Sequence, residues 1–182
     1  MTTTRVALLR GINLAGKKKV PMARLRELAS DLGFADPKTH VQSGNLVFDT
    51  DLDESETVRA LEEAVRSAFG FDVPVISRTA DEMGAIASSH PFSDLGLDDR
   101  LLQVAFLDRP PERAVEVLID ADEYADDRFQ GDGREVYLAY PKGSARSKLG
   151  HALLERRLGV SATLRNWRTV SKLAEMATSR VA

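Results

Sequence analysis

The sequence contains no cysteine. That excludes disulfides, thiolate metal sites and a cysteine nucleophile. Long hydrophobic runs are also missing: segments such as VALL and VAFL are short. No positively charged, then apolar, leader opens the chain, so a cytoplasmic protein without a membrane span is expected. The three histidines, His40, His90 and His151, lack metal-ligand spacing, so no metal and no cofactor is expected. No G-x-S-x-G element accompanies them, and the carboxylates offer no obvious acid/base pair. Aromatics make up 6% of the chain, with Trp167 as the one tryptophan.

What is present is ordinary in amount and uneven in distribution. At 182 residues, with 43% hydrophobic and 29% charged residues, the chain can bury a core without covalent staples. The net charge of -3 conceals two basic ends. Residues 1–26 carry seven Lys/Arg and no acid, and residues 142–182 carry nine Lys/Arg against Glu155 and Glu175. The acids lie between, 26 of them in residues 27–141. Such asymmetry suggests a face that meets anions.

Hydrophobic periodicity predicts the elements. Arg5–Arg10 is a buried strand, Pro21 opens a helix carrying Leu25, Leu28, Ala29 and Leu32, and Lys38–Gln42 and Asn45–Asp49 form a hairpin about Ser43-Gly44. Asp53–Phe69 is an amphipathic helix, and Val73–Arg78 is a strand whose Pro74 favours an edge. The order β-α-β-β-α-β is a ferredoxin-like unit. A helix near 81–89 leads to a second, less regular copy. Its strand is Leu101–Asp108, its first helix runs from Pro111 to Ile119, and its hairpin turns at Gly131-Asp132-Gly133. A helix over Ser147–Leu158, a strand near 161–165 and a final helix over 167–177 follow. The expected fold class is therefore α+β, with two tandem ferredoxin-like units, 1–79 and 80–182, the second bearing an extra C-terminal helix.

The segment RGINLAGKKK (10–19) contains seven-eighths of the pattern G-x-x-x-x-G-K-[ST]. Lys18 replaces the metal-binding hydroxyl, and Lys18-Lys19-Val20-Pro21 separates the loop from its helix, so this is not a nucleoside-triphosphate loop in the usual sense. The alternatives are an anion site of loop N–H groups and lysines, or a turn that needs its two glycines and is solubilised by lysines. The topology predicts that this loop and the QSGN turn (42–45) share one sheet edge, separated by roughly 10 Å.

Three blocks, VALLRGINLAGKKKVPMARLRELASDLGF, VQSGNLVF and TLRNWRTVSKLAEM, resemble the bacterial family catalogued as domain of unknown function 1697. The resemblance covers almost the whole chain. It implies a small cytosolic protein of two ferredoxin-like units and no established activity. Arg10, Gly11, Asn13, Gly16, Ser43, Gly44, Asn45, Asn166, Trp167 and Lys172 fall on its blocks, and Ala15 stands where the family usually has glycine.

Candidate anion-binding residues are thus Arg10, Gly11, Asn13, Gly16, Lys17, Ser43, Gly44 and Asn45, with Arg165, Asn166, Trp167 and Lys172 from the other basic end. Arg10 suits bidentate binding of phosphate or carboxylate. Asn13, Ser43 and Asn45 suit either a ligand or the capping of their own turns. Trp167 either stacks a base between Arg165 and Arg168 or anchors a core stripe with Val170, Ala174 and Ala177, and Asn166 suits a helix N-cap. Lys142, Arg146 and Lys148 approach a helix start and suit either phosphate binding with its N–H groups or a solvated basic turn. The expected partner is a phosphorylated small molecule or nucleotide. Nucleic acid is less well supported, because the middle strands of the first unit offer only Phe48 for stacking. An acylphosphatase-like hydrolase, with Asn45 or Asn13 orienting water, and a non-catalytic interaction scaffold are the alternatives.

Overall fold

The computed structural model describes residues 1–124 and 126–181; the Arg146 side chain lies outside the described residues. The chain divides into two compact units, Met1–Ala85 with Lys172–Ala182, and Ile86–Ser171. The first runs β1 (Thr3–Leu9), α1 (Met22–Asp31), β2 (Ala35–Thr39), β3 (Asn45–Thr50), α2 (Glu54–Phe69), β4 (Val75–Thr79) and α3 (Ala80–Ala87). The second runs β5 (Leu102–Leu107), α4 (Val115–Leu118), β6 (Arg128–Asp132), β7 (Glu135–Ala139), α5 (His151–Leu158), β8 (Ala162–Asn166) and the start of α6 (Trp167–Thr178), whose residues from Lys172 onward belong to the first. Each unit holds a four-stranded antiparallel sheet, in the orders β2-β3-β1-β4 and β6-β7-β5-β8. These are the ferredoxin-like order, and the α+β class follows.

The repeat extends further than the sequence suggests, because α3 follows β4 as α6 follows β8. The register repeats as well: Val6 pairs with Arg78 across β1 and β4, and Val104 pairs with Arg165 across β5 and β8. Both arginines are buried. The next residue caps the following helix in each case. Thr79 Oγ1 accepts from Glu82 N at 3.2 Å, and Asn166 Oδ1 accepts from Thr169 N at 2.9 Å.

Packing, more than capping, holds the first helix. No side chain caps α1 at Pro21, a contribution of about 1 kcal/mol where present. Burial of Met22, Leu25 and Leu28 offsets this, at about 1.5–3 kcal/mol for each fully buried large side chain. Met22 and Leu25 join Ala7, Leu9, Leu61 and Val65 around the stacked rings of Phe34 and Phe48, 4.4 Å apart. Val6 and Leu8, on the opposite face of β1, are buried too, which is why VALL is continuous and not alternating.

Some boundaries differ from the pattern reading. The helix expected from Pro111 shrinks to Val115–Leu118, because Pro110-Pro111 holds the approach extended and Ala114 keeps ψ at 140°. The helix expected from Ser147 starts at His151. Ser147 is extended, and its hydroxyl bonds Asp127 and accepts from Leu149 N at 2.9 Å. Strand β2 begins at Ala35, earlier than expected, and Pro37 is tolerated there because β2 lies at the sheet edge beside a register shift. Residues 172–181, read from sequence as part of the second unit, cluster with the first. Arg180 there pairs with Asp36 at 3.3 Å and Asp49 at 3.5 Å.

Candidate functional site

In the first unit the loop after β1 and the β2–β3 turn meet, as the strand order requires. Leu9 N donates to Gly44 O at 2.8 Å, and Arg10 N donates to Pro74 O at 2.9 Å. Asn13 bridges the gap directly. Its Nδ2 donates to Val20 O (3.0 Å) and to Gln42 O (2.8 Å), and its Oδ1 accepts from Val20 N (2.9 Å). Within the loop, Lys17 N bonds Leu14 O and Asn13 N bonds Lys18 O. Gly11, Asn13, Ala15, Gly16 and Lys18 all take positive φ, between 46° and 76°. Ala15 and Lys18 carry a cost there that glycine would not. The segment is thus a cross-braced hairpin, unlike an open cradle of N–H groups.

The lysines divide by role. Lys18 Nζ donates to Asp72 O at 2.7 Å and lies 5.8 Å from the Phe71 ring centre, tying the loop to the α2–β4 connection. Lys17 and Lys19 are exposed and have no ion-pair partner among the described residues.

The turn is built with equal economy. Asn45 is fully buried, and its Nδ2 donates to His40 O at 2.9 Å and to Ser43 Oγ at 3.0 Å. Gly44, at φ 82°, lies against Ile12 and Leu9. Lys172 reaches this edge from α6. Burial first, and then the Lys172 charge, lower the pKa of His40. Lys172 also pairs with Glu175 at 2.8 Å. Arg26 of α1 bonds Thr39 Oγ1 at 2.7 Å. Arg10 is half-buried at the end of β1.

Arg165, Asn166 and Trp167 lie in the second unit and are engaged there. Arg165 Nη1 donates to Thr163 Oγ1 (2.8 Å) and Leu164 O (2.9 Å), and burial lowers its pKa to about 10. Asn166 caps α6. Trp167 N donates to Asp99 O at 3.1 Å, and its half-buried indole meets His90 edge-on at 5.0 Å. In the basic turn, Lys142 pairs with Asp126 at 2.7 Å. No group of three or more His, Asp or Glu able to hold a metal ion occurs among the described residues, and no described helix is long and apolar enough to cross a membrane.

Sequence reasoning passed over His90. It is 2% exposed, with Tyr137, Phe92 and Trp167 around its ring. Nδ1 accepts from Phe92 N at 3.2 Å, so Nε2 carries the hydrogen that faces Gln103 O at 3.2 Å. Burial lowers its pKa below the ordinary 6.5. The neutral form is therefore favoured in the folded state, and the unfolded chain takes up the proton first as pH falls through 6.5. Stability is expected to decline below that pH. His40 contributes in the same direction. Urea midpoints at about pH 7.5 and 5.5 should differ less in His90→Gln than in the parent. An unchanged difference would refute the role of this imidazole.

A family model described as "Protein of unknown function (DUF1697)" matches residues 1–137. The chain belongs to the DUF1697 family. The matched span includes the loop after β1 and the β2–β3 turn. Among solved structures, the DUF1697 chain is similar to the conserved bacterial protein SP0830 from Streptococcus pneumoniae, with a TM-score of 0.73 and 22% identity. The likeness covers 97% of this chain and 99% of that one, and it establishes the shared fold. No curated protein matches the DUF1697 chain.

Proposed function

We propose that the protein is a binding module for a phosphorylated ligand, such as a nucleotide, held where the loop after β1 meets the β2–β3 turn. The observation that carries this is the presentation of Lys17 and Lys19, without ion-pair partners among the described residues, from a loop braced by Asn13. Lys172 adds charge at the same edge, as its influence on His40 indicates. In this reading Arg10, Lys17, Lys19 and Lys172 bind the anion, while Asn13, Ser43, Gly44 and Asn45 hold the shape. A braced loop loses little entropy on binding, which favours a compact ligand.

The geometry favours binding over hydrolysis. An acylphosphatase-like step needs an amide free to orient water. Asn45 is out of solvent, and the Asn13 amide already spans Val20 and Gln42. Calorimetric titration with ATP, inorganic phosphate and a short oligonucleotide tests the proposal. ATP should bind, and Lys17→Ala/Lys19→Ala should weaken it about 10-fold or more, as expected for two charge-assisted contacts. No heat with ATP or phosphate at millimolar concentration, or identical affinity in the double variant, would end this reading. Oligonucleotide binding that moderate salt erases would redirect it to a polyanion.

A further inference from the structure

In the second unit, the loop that follows β5 corresponds in topology to the Gly-Lys loop of the first. It forms a cleft of about 320 Å³ with the end of α5. Four arginines line it: Arg109 and Arg113 from the loop, and Arg156 and Arg157 from the last turn of α5. Leu118 and Val160 supply apolar surface. The two walls are tied together. Arg109 Nη1 donates to Asp108 Oδ2 at 2.8 Å, and its Nη2 donates to Gly159 O. The first unit makes a matching tie, Lys18 to Asp72 O, but there the lysine tip rests on Phe71.

Arg109 also covers a carbonyl at the helix C-terminus, where partial negative charge would otherwise repel an anion. Arg157 is paired with Glu123 at 3.2 Å. Arg113 and Arg156 are exposed and have no ion-pair partner among the described residues. Glu112 also lines the cleft. Positive charge remains in excess when Asp108, Glu112 and Glu123 are counted against the four arginines. Concentrating like charges in one concavity raises the local potential for an anion. The planar forks of arginine match phosphate oxygens two at a time. The cleft is at the small end of ligand pockets, which run from roughly 300 to 1,000 Å³.

We infer that this cleft is a second anion site, separate from the one proposed for the first unit, and that it takes a small phosphomonoester with an apolar body. Arg113 and Arg156 would hold the phosphate, and Leu118 and Val160 would contact the body. Calorimetric titration with phenyl phosphate, and with benzoate for comparison, tests this on the full chain. Phenyl phosphate should bind, and Arg113→Gln and Arg156→Gln should each weaken it about 10-fold or more, since each removes charge-assisted contacts. Both side chains are exposed and make no hydrogen bond or ion pair among the described residues, so neither substitution should unfold the protein, which circular dichroism would verify. Phenyl phosphate should still bind at this cleft in Lys17→Ala/Lys19→Ala, where the first site is disabled, and the arginine substitutions should weaken it in that background too. The inference is overturned if phenyl phosphate does not bind, or if both arginine variants bind it within about 2-fold of the parent. It is equally overturned if the lysine double variant abolishes binding, which would place the phosphate in the first unit. Benzoate bound as tightly as phenyl phosphate would overturn the phosphate assignment in favour of a carboxylate.

Discussion

Gly44→Ala is expected to destabilise the protein by about 2–5 kcal/mol, the sum of a left-handed backbone penalty and overpacking. The glycine holds φ at 82°, and a Cβ there would lie 2.6 Å from Ile12 Cδ1 and 2.8 Å from Leu9 Cβ. Ile12 is 2% exposed and Leu9 is fully buried in the central strand, so neither can step aside into solvent. The turn must instead move away from the loop, which costs the Leu9 N–Gly44 O bond. Gly16→Ala is the control. Gly16 has nearly the same φ, 76°, but nothing within 4 Å of the added carbon, so only the backbone penalty of about 1–2 kcal/mol applies. Thermal denaturation should put Gly44→Ala about 5–15 °C below the parent and clearly below Gly16→Ala. Equal midpoints for the two variants would show that the close packing at Gly44 carries no energetic weight.

Asn13→Ala is expected to cost about 2–4 kcal/mol. It orphans Val20 N and Val20 O, where each part-buried polar group left unpaired costs about 1–3 kcal/mol, and leaves the exposed Gln42 O to water. It also places alanine at φ 54°, where asparagine is better tolerated. Two further variants separate these effects. Asn13→Gly relieves the backbone but not the lost bonds, and should recover only about 1 kcal/mol. Asn13→Asp keeps the acceptor for Val20 N but turns a carboxylate toward two carbonyls, and should do no better than alanine. Hydrogen exchange at the Val20 amide should accelerate in Asn13→Ala and Asn13→Gly. Because Asn13 and Gly44 secure the same loop–turn contact, the double variant should cost less than the sum of the singles. Strict additivity would mean that the loop and the turn are independent.

The fold was legible where local chemistry is unambiguous. The runs VALL and VAFL marked the central strands, and Gly44 and Gly133 marked the two hairpins. Asn166 read as the cap of the last helix and is one. Pro110-Pro111 misled, because proline suits a first helical turn as well as an extended approach. At the candidate site, the pattern located the meeting of loop and turn but left the role of each polar residue open. An asparagine beside glycines has the same composition whether its amide meets a ligand or its own backbone. Asn13 and Asn45 do the latter, bonding Val20 O, Gln42 O and His40 O. The arginine cleft had no signal in sequence, since Arg109 and Arg113 approach Arg156 and Arg157 only through the packing of α5 beside the β5 loop. His90 was hidden in the same way, its ring partners being spread from Phe92 to Trp167.

The return of residues 172–181 to the first unit has a consequence for biosynthesis. Residues 1–85 leave the ribosome first, with Asp36 and Asp49 already placed on the emerging sheet but without Arg180 to pair them. The segment that completes this unit is translated only after the whole of the second has been made. The nascent amino-terminal half therefore waits for its closing piece, and its final locking follows the synthesis of everything encoded between.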